Sequence, residues 1–162
     1  MEILKNDKLT VEISSHGAEL QSIKNAEGHE YLWQGDEKYW PRRSPLLFPI
    51  VCGLWKDEYR VDGKTYSLPR HGFARDMDFE VLDKTDASVT YGLDANDETM
   101  KVYPYDFHLN VRYVLKDDTL NVFWVVKNVG KEEMHFQVGG HPAFNLPNVA
   151  EGDKMHGTIL FD

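Results

Sequence analysis

The sequence predicts an all-β fold, an antiparallel sandwich, and three observations carry that prediction. Apolar residues recur with a period of two rather than 3.6. Turn signals interrupt them every roughly eight to twelve residues, the spacing of sandwiches and barrels. Helical periodicity is scarce.

Taken in order, residues 9–13 alternate apolar and polar, and residues 20–23 resume the pattern after a break at His16-Gly17. A single turn is expected at 36–39, stopped near Pro41. Residues 59–61 and 65–68 flank Asp62-Gly63, a pair suited to a tight hairpin with positive φ. Residues 79–82 and 89–93 form a further pair. A short helix is predicted over 96–102, ended by Pro104. Phe107, Leu109, Val111, Tyr113 and Leu115 then line one face of a strand, with a turn at Asp117-Asp118. Leu120, Val122, Trp124 and Val126 follow, with Phe123 and Val125 between them. That strand is apolar on both faces, which predicts a place in the middle of a layered sheet. Asn128-Val129-Gly130 ends it. Residues 157–162 read as the start of another strand with no terminal cap. The expectation is one incomplete sandwich domain over residues 1–162, stopping inside its fold and leaving sheet edges open to self-association.

Bulk properties narrow the function. The chain has 162 residues and a formal net charge of -9. An acidic surface repels phosphate backbones, so nucleic acid is excluded as a partner. The one cysteine, Cys52, gives no internal disulfide. The N-terminus lacks the apolar core of a signal peptide, and no apolar run reaches the roughly 20 residues of a membrane helix. A cytoplasmic protein without membrane contact is expected.

Three segments combine reactive side chains with a restricted backbone. In Arg42-Arg43-Ser44-Pro45-Leu46-Leu47-Phe48-Pro49-Ile50-Val51-Cys52-Gly53, two prolines give an extended, rigid run rather than a regular central strand. Arginines at its entrance offer planar forks of donors to a polyhydroxyl ligand. In Pro69-Arg70-His71-Gly72-Phe73-Ala74-Arg75-Asp76, His71 can exchange a proton near neutral pH and Gly72 permits close approach. In Gln137-Val138-Gly139-Gly140-His141-Pro142-Ala143-Phe144-Asn145, two glycines leave room around His141, and Asn145 can orient a neighbour or bind a hydroxyl. Each segment also has a plainer reading, as a loop with solvated arginines or a turn with a satisfied histidine. His16, His29, His108, His135 and His156 lack such surroundings, and His108 and His135 fall in strand patterns. A metal site from His71, His141 and a carboxylate ranks behind acid–base chemistry, because no HxH or CxxC spacing supports it. Trp33, Trp40, Trp55 and Phe144 offer faces for a sugar ring, or simply pack.

Together these segments resemble the aldose 1-epimerase superfamily, in its LacX-like branch. The resemblance runs through Gly17-Ala18-Glu19-Leu20, Tyr31-Leu32-Trp33, Ser44-Pro45-Leu46-Leu47-Phe48-Pro49-Ile50-Val51, His71-Gly72-Phe73-Ala74-Arg75, Tyr103-Pro104-Tyr105-Asp106-Phe107 and Gly139-Gly140-His141-Pro142-Ala143-Phe144-Asn145. It implies a large antiparallel sandwich with a sugar cleft on a concave sheet face. It also implies interconversion of the anomers of an aldohexose such as galactose or glucose, without cofactor or metal. His71 would bind near the ring oxygen and His141 would act as general acid there. Arg42, with Arg43 as the competing choice, would bind hydroxyls. The family's catalytic glutamate and a sugar-binding aspartate would lie beyond Asp162, so this chain alone is expected to show little or no mutarotase activity. A non-catalytic carbohydrate-binding module or an inactive fragment is the alternative. A hexose-6-phosphate mutarotase is a further one, with Arg42, Arg43, Arg70 and Arg75 available to a phosphate.

Overall fold

The computed structural model describes residues 1–146. The strand expected at 157–162 lies outside the described residues. The first layer is a three-stranded antiparallel sheet in the order β1 (Glu2–Lys5), β2 (Leu9–Ile13), β3 (Leu20–Asn25). The Asn6 side chain caps the first turn, accepting from the Lys8 and Leu9 amides at 2.9 and 2.8 Å. Leu9, Val11 and Ile13 point inward, as their alternation predicts.

The second layer is an antiparallel sheet in the order β10-β9-β8-β7, from β7 (Glu80–Lys84), β8 (Ser88–Asp94), β9 (Phe107–Lys116) and β10 (Thr119–Asn128). Helix α1 (Asp97–Val102) links β8 to β9. Asn96 caps it, accepting from the Glu98 and Thr99 amides, while the Thr99 hydroxyl accepts from the Asn96 amide. Phe107, Leu109, Val111, Tyr113 and Leu115 of β9 are all buried, the face predicted from period two. Two tyrosines tie the layers together. Tyr91 donates to the Ile13 carbonyl at 3.2 Å and Tyr113 to the Ala18 carbonyl at 2.8 Å. Burial pushes both hydroxyls well above the usual phenol range, so they remain donors.

Two expectations are corrected. Among the described residues β10 is an edge strand, not a central one. Its register sets Val122 beside Tyr113 and Trp124 beside Val111, on the core face, with Phe123 and Val125 on the other. Yet Val122, Phe123, Trp124 and Val125 are 38, 51, 41 and 54% exposed. Composition reports what a strand is suited to face; the covering elements are absent among the described residues. His135 lies outside any strand, and its carbonyl accepts from the Tyr103 hydroxyl at 2.9 Å instead of from a neighbouring strand. His108 does sit in β9.

The predicted hairpin forms as β5 (Glu58–Val61) and β6 (Lys64–Ser67), with Asp62 at φ 47° and Gly63 at φ 76° in its turn. Two short strands, β4 (Leu46–Leu47) and β11 (Gly139–Gly140), pair with each other. They matter most, because they join the motif-bearing segments.

Candidate active site

The proline-containing segment 42–53 is a rail with a histidine segment on either side. Along one side it pairs antiparallel with 137–143. The Ala143 amide donates to Arg43 O at 2.9 Å, the His141 amide to Pro45 O at 3.1 Å and the Gln137 amide to Pro49 O at 2.9 Å. Along the other side Phe48 bridges to Gly72, and the Phe73 and Ala74 amides both donate to Phe48 O, at 3.0 and 3.2 Å. Gly72 has φ 69°, and a Cβ there would stand 2.2 Å from Phe48 O, so both conformation and space demand glycine. The rail is fixed to the core by the fully buried Phe48 ring, which packs 5.1 Å from Phe107 and 6.0 Å from Tyr103 between centroids.

This arrangement brings His71 and His141 together, with ring centroids 6.0 Å apart. His71 is strained and doubly held. Its φ is 70°, a region that side-chain-bearing residues avoid at a cost of about 1–3 kcal/mol. Its amide donates to Cys52 O at 2.8 Å, and its Nδ1 accepts from the Cys52 amide at 3.0 Å. Since Nδ1 is an acceptor, the neutral ring carries its hydrogen on Nε2. Burial, then the charges of Arg75, His141 and Arg70, hold the His71 pKa below the usual histidine value. His71 is therefore a neutral Nε2–H donor.

His141 differs. No hydrogen bond holds its ring among the described residues, and Trp40 lies tilted against it at 5.2 Å between centroids. Its neighbour Gly140 has the Trp124 ring where a side chain would be, 2.9 Å from an added Cβ. The histidines face an open surface. Beside it lies a cavity of about 500 Å³ lined by Trp33, Tyr39, Trp40, Ala143, Phe144 and Asn145. Trp33 is tied in by its indole donating to Trp40 O at 2.8 Å, whereas Trp55 is 85% exposed, away from this cavity.

The arginines separate. Adjacent residues on an extended chain point to opposite sides. Arg43 donates to Gln21 Oε1 at 2.7 Å and to the Gln34 carbonyl at 3.2 Å, committing its guanidinium to the β3 side. Arg42 instead reaches the His71 segment, where its Nη2 lies 2.6 Å from Asp76 Oδ1. Arg75 Nε lies 3.4 Å from the other oxygen of that carboxylate. Asn145 spends its amide on the Leu32 and Glu30 carbonyls, at 2.8 and 3.2 Å, so its donors tie segments together rather than face the histidines. The Cys52 amide and the Gln137 side chain belong to the site's framework, and nothing in the sequence singles them out. Among the described residues, no group of three or more His, Cys, Asp or Glu side chains is arranged to hold a metal ion.

An all-β sandwich here brings two imidazoles together and sets an arginine against the segment that carries one of them. The sequence profile of the aldose 1-epimerase family matches residues 2–159, and the chain belongs to that family. Its fold is that of the galactose mutarotase-like proteins. A galactose mutarotase related enzyme from Lactobacillus acidophilus superposes with a TM-score of 0.91 at 47% identity, over 94% of this chain and 51% of that one. A galactose mutarotase-like protein from Lactobacillus casei gives 0.90 at 44% identity, over 94% and 52%. The chromosomal LacX protein of Lactococcus lactis is 39% identical, over 97% of this chain and 54% of its own length. The chain thus spans about half the length of these relatives.

Proposed function

We propose that the surface between the rail and its two flanking segments binds an aldohexose such as galactose or glucose and supplies the acid side of anomer interconversion. The observation that carries this reading is the meeting of the two imidazoles, 6.0 Å apart, from segments distant in the chain. His71, held neutral, donates from Nε2 to the sugar near its ring oxygen. His141, as imidazolium, gives a proton to that oxygen while the C1–O bond of the ring breaks and the anomeric oxygen becomes an aldehyde carbonyl. Rotation about C1–C2 and return of the protons close the other anomer. Positioned general acid catalysis of this kind contributes about 10²–10⁴-fold. Arg42 binds hydroxyls, oriented by Asp76.

The cycle also needs a base for the anomeric hydroxyl proton. Asp76, the carboxylate of the His71 segment, is committed to Arg42 and Arg75, and no base is assigned within residues 1–146. This chain alone is therefore expected to accelerate mutarotation little. Polarimetry on freshly dissolved α-galactose or α-glucose checks this: a rate far above buffer, abolished by His141→Ala, would place the base within the chain. Binding is tested separately. Titration with either sugar should shift the ring signals of His71, His141 and Trp40, and Arg42→Ala should weaken the response. A folded protein whose rings do not respond would sink the reading.

A second reading concerns assembly. Among the described residues β10 has an edge with no neighbouring strand and apolar residues on both faces, which supports association between copies of the chain along that edge.

A further inference from the structure

We propose that Gln137 is a positioning residue that fixes the ring tautomer of His71, acting through the backbone of Val51 and Cys52. Its importance begins with Pro49. A proline has no amide hydrogen, so the antiparallel pairing of 137–143 with the rail loses a donor there. The Gln137 amide still donates to Pro49 O at 2.9 Å. Its side chain then reaches past the proline, and Oε1 accepts from the Val51 amide at 2.8 Å. One residue thus grips the rail on both sides of Ile50.

The next amide along is Cys52, the donor to His71 Nδ1 at 3.0 Å. Cys52 sits at φ 66°, a conformation that does not persist without restraint. Besides the bond from its own amide to His71 Nδ1, two restraints are present, the His71 amide on Cys52 O and the Gln137 carboxamide on the Val51 amide. Removing the second lets 51–53 relax toward ordinary φ, which turns the Cys52 amide away from the imidazole. His71 would then be free to carry its hydrogen on either nitrogen. Gln137 lies four residues before His141 on the same segment, so it links the geometry of one histidine to the tautomer of the other. The groups that bear on the His71 charge from the surrounding segments are Arg70, Arg75 and His141.

The tautomer claim stands without the sugar reading, whereas its use in presenting Nε2–H to a pyranose oxygen rests on that reading. The test is nitrogen-15 NMR of the imidazoles in the full chain. Wild type should show His71 as a single tautomer, protonated at Nε2, with slowed exchange of both the Val51 and Cys52 amides. Gln137→Met keeps the length but removes the acceptor, and should give averaged His71 nitrogen signals and a Cys52 amide that exchanges rapidly. Gln137→Glu keeps an acceptor and should restore the single tautomer. A merely structural residue would shift stability without moving this signature. A wild-type His71 protonated at Nδ1, a freely exchanging wild-type Val51 amide, or an unchanged tautomer in folded Gln137→Met would each overturn the proposal. The two wild-type measurements decide it where the methionine variant fails to fold. If sugars leave the spectrum unmoved while the tautomer follows residue 137, the sugar reading fails and this one stands.

Discussion

The two edges of the four-stranded sheet are built differently. β7, at one side, is short, carries Glu80, Asp83 and Lys84, and is interrupted by a register shift between Val81 and Asp83. Lys84 is further tied to Glu2 by an ion pair. These are the devices by which sheets discourage further strands from joining: charge, brevity and a bulge. β10, at the other side, runs 10 residues without a register shift, and Lys127 is its one charged side chain. Its core-facing Val122 and Trp124 help line an apolar cavity of about 1120 Å³, shared with Leu20, Ile23, Tyr31 and Leu46. One edge is charged, short and bulged, and the other, among the described residues, is long, regular and apolar on both faces. The contrast shows that an edge is recognised by what its side chains tolerate rather than by its place in the strand order.

The largest expected effect tests whether β10 is energetically bare. Phe107→Ala, on the buried face of β9 beside Asn128, should cost about 3–5 kcal/mol, the range for a fully buried phenylalanine. Phe123→Ala, on the outer face of β10, should cost within about 0.5 kcal/mol, as surface changes do. Denaturant unfolding of both variants measures the gap. Equal losses would mean that Phe123 is covered, and the contrast between the edges would collapse.

A smaller effect concerns assembly. Sedimentation velocity should find the wild type associating as concentration rises, and Val125→Lys, which places a charge on the open edge, should shift it toward monomer at little cost in stability. Lys84→Thr on β7 removes a charge from the short, bulged edge and should leave association unchanged. A wild type that stays monomeric throughout would break the comparison at its open side.

The sequence reading succeeded where geometry follows from neighbours and failed where it follows from distant partners. Alternation alone located β2 and β9, the Asp62-Gly63 pair located its hairpin, and the helix predicted over 96–102 and ended by Pro104 forms as α1. The two-sided apolar run of β10 was misplaced because composition cannot say whether a cover is present. At the site, His71 and His141 were legible as motif residues. The choice between Arg42 and Arg43 was not, because it depends on which face of the rail meets Asp76. Nor was the framework role of Asn145, whose carbonyl partners at Glu30 and Leu32 lie more than 100 residues away. The hold of Cys52 on His71 uses a backbone amide, which every residue but proline possesses and no sequence pattern marks.

The smallest effect carries the contrast of held and open into the histidines themselves. His71 is gripped at Nδ1, and its pKa lies below the usual 6.5 because of burial first and the nearby Arg75, His141 and Arg70 charges after it. The unfolded chain therefore takes up a proton at a pH where the folded one does not. Where the unfolded state binds more protons, stability rises with pH. The contribution of His71 is thus fully present above about pH 6.5, shrinks as pH falls below it, and levels off once the folded site also titrates. His71→Asn isolates this term, since asparagine tolerates the left-handed backbone and offers an oxygen to the Cys52 amide in place of Nδ1. The stability difference between wild type and variant should be flat above about pH 6.5 and turn against the wild type below it. A difference that stays constant across that range would mean the imidazole takes up protons equally well folded and unfolded, and that burial and the neighbouring charges do not disfavour its protonation.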